Sequence, residues 1–416
     1  MKNLKGACLF AQSGGPTAVI NSSAAGVFTQ ALLQSDRITA VYGAANGIAG
    51  VLNEKFYDMS KEDPREIELL KWTPSSALGS VRYKLKDPSD DDRDYKRILE
   101  VFKKYNIRFF FYNGGNDSMD TCNKISKYIG NSGWECNVIG VPKTIDNDLY
   151  GTDHCPGYGS AAKYIANTVM EINLDVHVYD IPSVCVIETM GRNAGWLAAS
   201  SVLAAENGLG PDLVYLPESP FSVEKFIADV KAVCAKKRGQ CLIVVSEGIR
   251  DEHGRLINDV YAKSSSDCFG HTQLGGISHI LASEIKKATG FKTRGIELCL
   301  MQRCAAHVAS LTDVEETFEA GRRAVLAALD GETDKMVVYS RKANVDKYEC
   351  VFDYVPLELA ANAEKTVPQN WIINDGTYLS QEFIDYALPL IQGDGKAPLE
   401  NGLPRFARLK KELVKL

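Results

Sequence analysis

Val138-Ile139-Gly140-Val141-Pro142-Lys143-Thr144-Ile145-Asp146-Asn147-Asp148-Leu149-Tyr150-Gly151 is the stretch on which the fold of this 416-residue chain turns. Its apolar start reads as a short buried strand, which Pro142 stops because proline has no amide hydrogen for the ladder. A loop follows. If that loop runs extended, alternate side chains share a side, so Thr144, Asp146 and Asp148 project together as one hydroxyl and two carboxylates. Open parallel sheets place ligands at this end of their strands. Asp146-Asn147-Asp148 is also ordinary turn chemistry, so the neighbouring sequence has to decide.

Outward from this loop, strand-like runs alternate with helical patterns, the mark of a parallel sheet covered by helices. A strand at Ala7 to Ala11 runs into Gln12-Ser13-Gly14-Gly15-Pro16-Thr17, and a helix is expected from Thr17 to Gln34. Ile107 to Tyr112 ends in Asn113-Gly114-Gly115-Asn116-Asp117-Ser118, where Asp117 or Ser118 suits the cap of a helix reaching Ile129. Ser183 to Ile187 delivers Met190-Gly191-Arg192, followed by a helix to Glu206, and Cys241 to Val245 ends in Ser246-Glu247-Gly248. Gly275-Gly276-Ile277-Ser278 opens a helix, and a strand at Arg294 to Leu300 leads to Gln302-Arg303. Glycine at a strand-to-helix turn lets backbone approach a ligand closely, and the free amides of the helix start favour an anion. The remaining readings are a glycine-rich turn at Asn46-Gly47 and Gly50, a helix begun by Pro64, an amphipathic helix from Asp91 to Asn106, and a solvated helix end at Arg405 to Lys415.

Composition narrows the class. Hydrophobic residues at 45% and charged residues at 24% are those of a soluble globular protein of about two lobes. The net charge of −6 argues against nucleic acid, and an anionic substrate needs a local cluster of cations. The eleven cysteines include no Cys-x-x-Cys pair, and Cys8, Cys185, Cys241 and Cys299 sit in segments that read as core. They are expected to be reduced thiols, which points to the cytoplasm. The first apolar run ends by Gln12, too soon for a signal peptide or a spanning helix, so no membrane is expected.

Glycine-bounded strand ends thus carry Asp117, Lys143, Asp146, Asp148, Arg192, Glu247 and Arg303. Such a set suits phosphoryl transfer to a sugar alcohol: a carboxylate takes the hydroxyl proton, cations hold phosphate oxygens and Mg²⁺ offsets charge. These motifs, in this order from Gly6 to Tyr339, resemble the 6-phosphofructokinase family. The resemblance implies an α/β fold of two similar three-layer Rossmann-like lobes with mostly parallel sheets. Residues 1–150, completed by segments including 275–340, would form the larger donor lobe, 151–275 the sugar-phosphate lobe, and 341–416 an extension packed on the core. A homodimer or homotetramer is expected.

The Asp117 and Lys143 positions resemble the pyrophosphate-dependent branch, in which a carboxylate occupies the room of a nucleotide's α-phosphate. The implied reaction is reversible transfer from pyrophosphate to the 1-hydroxyl of fructose 6-phosphate, in glycolysis and gluconeogenesis. In it Asp146 resembles the general base, with Lys143 and Asp117 completing the catalytic set. Thr144, Met190, Gly191, Arg192, Glu247 and Arg303 match sugar-phosphate contacts, Gly14, Gly15, Arg82 and Lys143 the pyrophosphate side, and Asn116 and Asp148 the Mg²⁺ site. The sequence departs from the family pattern at three places: Asn116 replaces the usual aspartate, Ser183 a cross-subunit arginine, and Cys304-Ala305-Ala306-His307 the usual glycines. The competing readings are an ATP-dependent phosphofructokinase and a non-catalytic sugar-phosphate-binding homologue.

Overall fold

Along Ala7-Cys8-Leu9-Phe10-Ala11 every side chain is buried, and successive ones enter different cores. Ala7, Leu9 and Ala11 pack with Phe110 and Tyr112, whereas Cys8 and Phe10 pack with Phe109 and Phe111. Period-two strands with both faces buried demand helices on both sides, hence three layers. The computed structural model describes residues 4–178, 180–262, 276–343, 347–361 and 363–415.

The first half of the chain runs β1 (Gly6–Gln12), α1 (Ile20–Leu32), β2 (Ile38–Ala44), α2 (Gly47–Leu52), β3 (Phe56–Asp58), α3 (Pro64–Leu69), α4 (Arg93–Lys104), β4 (Ile107–Gly114), α5 (Asn116–Asn131) and β5 (Asn137–Pro142). Then come α6 (Tyr158–Val176), β6 (Ser183–Thr189), β7 (Leu213–Tyr215), α7 (Val223–Lys236), β8 (Gln240–Ser246), α8 (Ile277–Thr289), β9 (Lys292–Glu297), α9 (Leu311–Leu329), β10 (Lys335–Arg341), β11 (Cys350–Pro356) and α10 (Gln381–Ala387). The larger sheet has the order β11-β10-β5-β4-β1-β2-β3 and is antiparallel only at its two edges, where β3 and β11 pair. The smaller sheet, β7-β8-β6-β9, is parallel throughout. The expected α/β architecture of two layered lobes is what the chain adopts.

Several local expectations fail for identifiable reasons. The first helix starts at Ile20 rather than Thr17, because the Thr17 hydroxyl instead accepts the Val19 amide in a turn. Asn46 takes a left-handed φ of 57° and launches α2 where a turn was expected. The helix after Gly195 is α-helical only over Trp196–Ala199 and continues as a 3₁₀ helix to Asn207. The ninth strand stops at Glu297, and Cys299, beyond it, is exposed rather than core. Segment 275–340 divides: α8 and β9 join the smaller sheet, and only α9 and β10 join the larger one. Gly275 lies outside the described residues. The basic tail is extended, not helical: Leu413 bridges antiparallel to Tyr57, and the Glu62 carboxylate accepts the amides of Lys410 and Lys411. Two consecutive amides on one buried carboxylate hold the tail where a helix would have no partner.

Helices α1 and α9 pack in close backbone contact. A Cβ added at Gly26 would lie 2.0 Å from the Phe318 carbonyl oxygen, and one at Gly321 would lie 2.2 Å from that of Ser23. Both obstacles are backbone, so they cannot swing aside. The Ser22 hydroxyl donates to Val314 O at 2.7 Å across the same crossing. Gly321→Ala is therefore expected to cost about 1–3 kcal/mol, seen as a lower urea midpoint at unchanged m-value; an unaltered midpoint would contradict the glycine contact.

Candidate active site

Strand register gathers the loops. Gln12 lies opposite Asn113 and Gly114 opposite Pro142, so β1, β4 and β5 end side by side. The Lys143 amide donates to Gly114 O at 3.0 Å, stitching the two loops just past their strands. Gly14 has φ 77°, and a Cβ there would meet Lys143 Nζ at 3.0 Å; one at Gly15 would meet Arg303 Nη1 at 3.1 Å. Two cationic heads therefore lie against a glycine turn, which leaves room for an anion's oxygens. Asn116 opens α5 and Asp117 sits inside its first turn, with Gly115 in the capping position and no side-chain cap bond. Asp117 is thus not a cap. Its carboxylate is exposed on the cleft wall.

In the organising loop, Thr144, Asp146 and Asp148 do converge, but through a turn and not through extended backbone. The Thr144 hydroxyl accepts the Asp146 amide at 3.1 Å, and Asn147 has φ 55°. Asparagine tolerates the left-handed region better than most residues. Its fully buried side chain accepts the Cys155 amide at 2.9 Å and donates to the Tyr386 hydroxyl at 2.8 Å, which donates onward to Asp153 O at 2.7 Å. A residue in the last turn of α10 is thus tied to the middle of the Asp-Asn-Asp motif.

Burial dominates the electrostatics. It pushes the Asp146 carboxyl up, against the pull of Lys143, and takes Asp148 up to about 7, with the charge of Asp146 adding to the rise. Lys143 is brought down to about 8 by burial, opposed by Asp146 and Asp148. Asn116 Nδ2 donates to Asp148 Oδ2 at 3.1 Å, while its Oδ1 is buried without a partner. An unpaired amide oxygen beside a carboxylate is a set of hard oxygen donors of the kind Mg²⁺ prefers, so these two residues fit such an ion.

Across the cleft, Thr189 lies opposite Ser246 and Glu188 opposite Glu297, so the loops after β6, β8 and β9 also end together. The Met190 amide donates to Gln302 Oε1 at 3.1 Å and the Ser246 hydroxyl donates to Gly191 O at 2.6 Å. Gly191 has φ 116° and carries the turn that presents Arg192.

One cleft of about 580 Å³ brings together Gly14, Gly15, Arg82, Asn116 and Asp117 with Lys143, Thr144, Asp146, Asp148 and Arg192. Met190, Gly191, Glu247 and Arg303 are outside its immediate lining. Of these, Arg303 reaches Gly15, and Glu247 is close enough for the charge of Asp146 to help burial raise its carboxyl. His307 is exposed, against the ring of Tyr164. Sequence reasoning missed Tyr83 and Lys84, which continue the wall from Arg82, and Glu364, which arrives from the C-terminal extension. No local pattern around Glu364 could have placed it there.

Residues 7–328 match the family described as Phosphofructokinase. The chain belongs to the phosphofructokinase family. It is 45% identical to the pyrophosphate–fructose 6-phosphate 1-phosphotransferase of Halomonas elongata over 408 residues, 97% of this chain and 96% of that one. The crystal structure of a pyrophosphate-dependent phosphofructokinase from Nitrosospira multiformis superimposes with a TM-score of 0.90 at 40% identity, covering 99% of this chain and 98% of that one. A second, from Marinobacter aquaeolei, gives 0.87 at 40% identity with the same coverage. In this phosphofructokinase the matched span ends before β10, so Tyr386 braces the Asp146 loop from outside it. Tyr386→Phe removes the hydroxyl shared by Asn147 and Asp153 O and is expected to cost about 1–3 kcal/mol in urea unfolding, with faster amide exchange across 143–155.

Proposed function

We propose that this phosphofructokinase transfers a phosphoryl group from pyrophosphate to the 1-hydroxyl of fructose 6-phosphate, releasing phosphate and fructose 1,6-bisphosphate. The observation that carries the donor assignment is the placement of Asp117 and Lys143 on the walls of one cleft, with the Lys143 ammonium against Gly14. A carboxylate at Asp117 repels the α-phosphate of a nucleotide, whereas pyrophosphate ends before reaching it. Relatives of near full length named for pyrophosphate support the same choice.

Asp146 accepts the proton of the 1-hydroxyl as the oxygen attacks phosphorus. Thr144, whose hydroxyl donates to Asp146 Oδ2 at 3.4 Å, sets the orientation of that carboxylate. Lys143, with Arg82 and the Gly14-Gly15 amides, neutralises the transferring phosphoryl and the departing phosphate. Arg192 and Arg303 hold the sugar's 6-phosphate, with Met190, Gly191 and Glu247 shaping the pocket behind. Mg²⁺, bound by Asn116 Oδ1 and Asp148, would supply further charge neutralisation on the pyrophosphate oxygens. The described residues contain no helix long and apolar enough to cross a membrane. The reading places the enzyme in the cytoplasm as a homodimer or homotetramer.

A donor panel tests this. With fructose 6-phosphate and Mg²⁺, pyrophosphate is expected to support turnover and ATP to support far less; faster turnover with ATP overturns the donor assignment. Asp117→Gly with Lys143→Gly is expected to lower turnover with pyrophosphate by about 10²–10³-fold. Loss of turnover in Asp146→Asn separates an enzyme from a silent binder.

The lowered Lys143 sets an alkaline limit. Its ammonium is present below about 8 and is lost as pH rises through that value. In the free enzyme kcat/KM for pyrophosphate is accordingly expected to fall above about pH 8. The residual activity of Lys143→Arg, whose guanidinium stays protonated, is expected to show no such limb.

A further inference from the structure

Glu364 lines the same cleft as Arg192, Thr144 and Asp146, although it lies beyond the residues that match the family. Its position is held from both lobes. Glu364 bridges antiparallel to Leu149, the residue after Asp148, and the next amide, that of Lys365, donates to Asp148 O at 2.8 Å. Lys365 Nζ donates to Asp153 O at 2.6 Å and Thr152 O at 3.2 Å. From the smaller lobe, Trp196 Nε1 donates to Lys365 O at 2.8 Å, and the Val367 amide donates to the Glu218 carboxylate at 3.0 Å. One oxygen of the Glu364 carboxylate accepts from Asn193 Nδ2 at 3.0 Å, beside Arg192, which fixes the head on the acceptor side.

A third carboxylate near Asp146 and Asp148 is electrostatically unfavourable, and its charge helps raise both of them. It also repels pyrophosphate and the 6-phosphate. A neutral polyol face is the part of the substrate pair that such a group attracts, because an ionised carboxylate is a strong acceptor for hydroxyl donors. We propose that Glu364 recognises the acceptor sugar: its free carboxylate oxygen accepts a hydrogen bond from a hydroxyl of the sugar while the arginines take the phosphate. This rests on the functional reading above and adds a specificity residue supplied by the extension.

Calorimetric titration with fructose 6-phosphate, without pyrophosphate or Mg²⁺, isolates the contact. Glu364→Ala is expected to weaken sugar binding about ten- to a hundredfold, with Glu364→Gln intermediate because its amide oxygen still accepts. The dissociation constant for magnesium pyrophosphate, titrated separately, stays within about twofold, and the melting temperature is unchanged because the strap is anchored through Lys365 and backbone. Unchanged sugar affinity in Glu364→Ala overturns the proposal, whether or not the melting temperature falls. So does a loss confined to magnesium pyrophosphate, which would assign the carboxylate to the donor side. A wild-type chain that does not bind fructose 6-phosphate overturns the functional reading along with it.

Discussion

Two half-buried carboxylates two residues apart in the loop after β5, Asp146 and Asp148, impose the constraint that the rest of the cleft answers. Burial raises both, and the charge of Asp146 adds to the rise at Asp148. The chain responds with cations on both sides. Lys143 lies toward the Gly14-Gly15 turn, and Lys365, itself buried and lowered by that burial, lies behind the loop with Asp148 and Asp153 opposing the shift. The Asn116 amide adds a neutral hydrogen bond to Asp148. Lys143 and the Thr144 hydroxyl oppose the rise at Asp146, which favours the charged form that its proposed role requires.

The parallel sheets end their strands on the cleft, so the larger sheet contributes turns rich in amides and glycine and the smaller one contributes Arg192 and Arg303. The positive charge is distributed along the cleft and not concentrated at one point. In the proposed transfer, a phosphoryl group moving from a donor on one wall to an acceptor on the other stays near a cation throughout. Loop geometry sets this path, and the α1–α9 glycine contact matters to it because the turn before α1 is one of the two walls.

What was legible in the sequence was local. Glycine pairs after apolar runs marked the strand ends, since few other residues tolerate those turns, and most of the charged residues on them line one cleft. The reason given for Thr144, Asp146 and Asp148 was wrong in form: the turn through Asn147, not strand alternation, brings them together. Asp117 looked sufficient as a cap, yet Gly115 occupies the cap, so the carboxylate is free of a local structural duty. The extended tail and Glu364 were illegible because their partners lie hundreds of positions away, such as Glu62 for Lys410. Propensity and period carry no information about such pairings.

The extension is more than packing. Residues beyond the matched family span supply the hydroxyl that holds Asn147, the ammonium that caps Asp153 O, and a carboxylate inside the cleft. The base role proposed for Asp146 needs its carboxylate held to within a fraction of an ångström. In this chain that task is shared between the loop's own hydrogen bonds and side chains from the far end of the sequence. Because Lys365 also accepts from Trp196 in the smaller lobe, the loop bearing Asp146 and Asp148 and the lobe bearing Arg192 are tied through one residue.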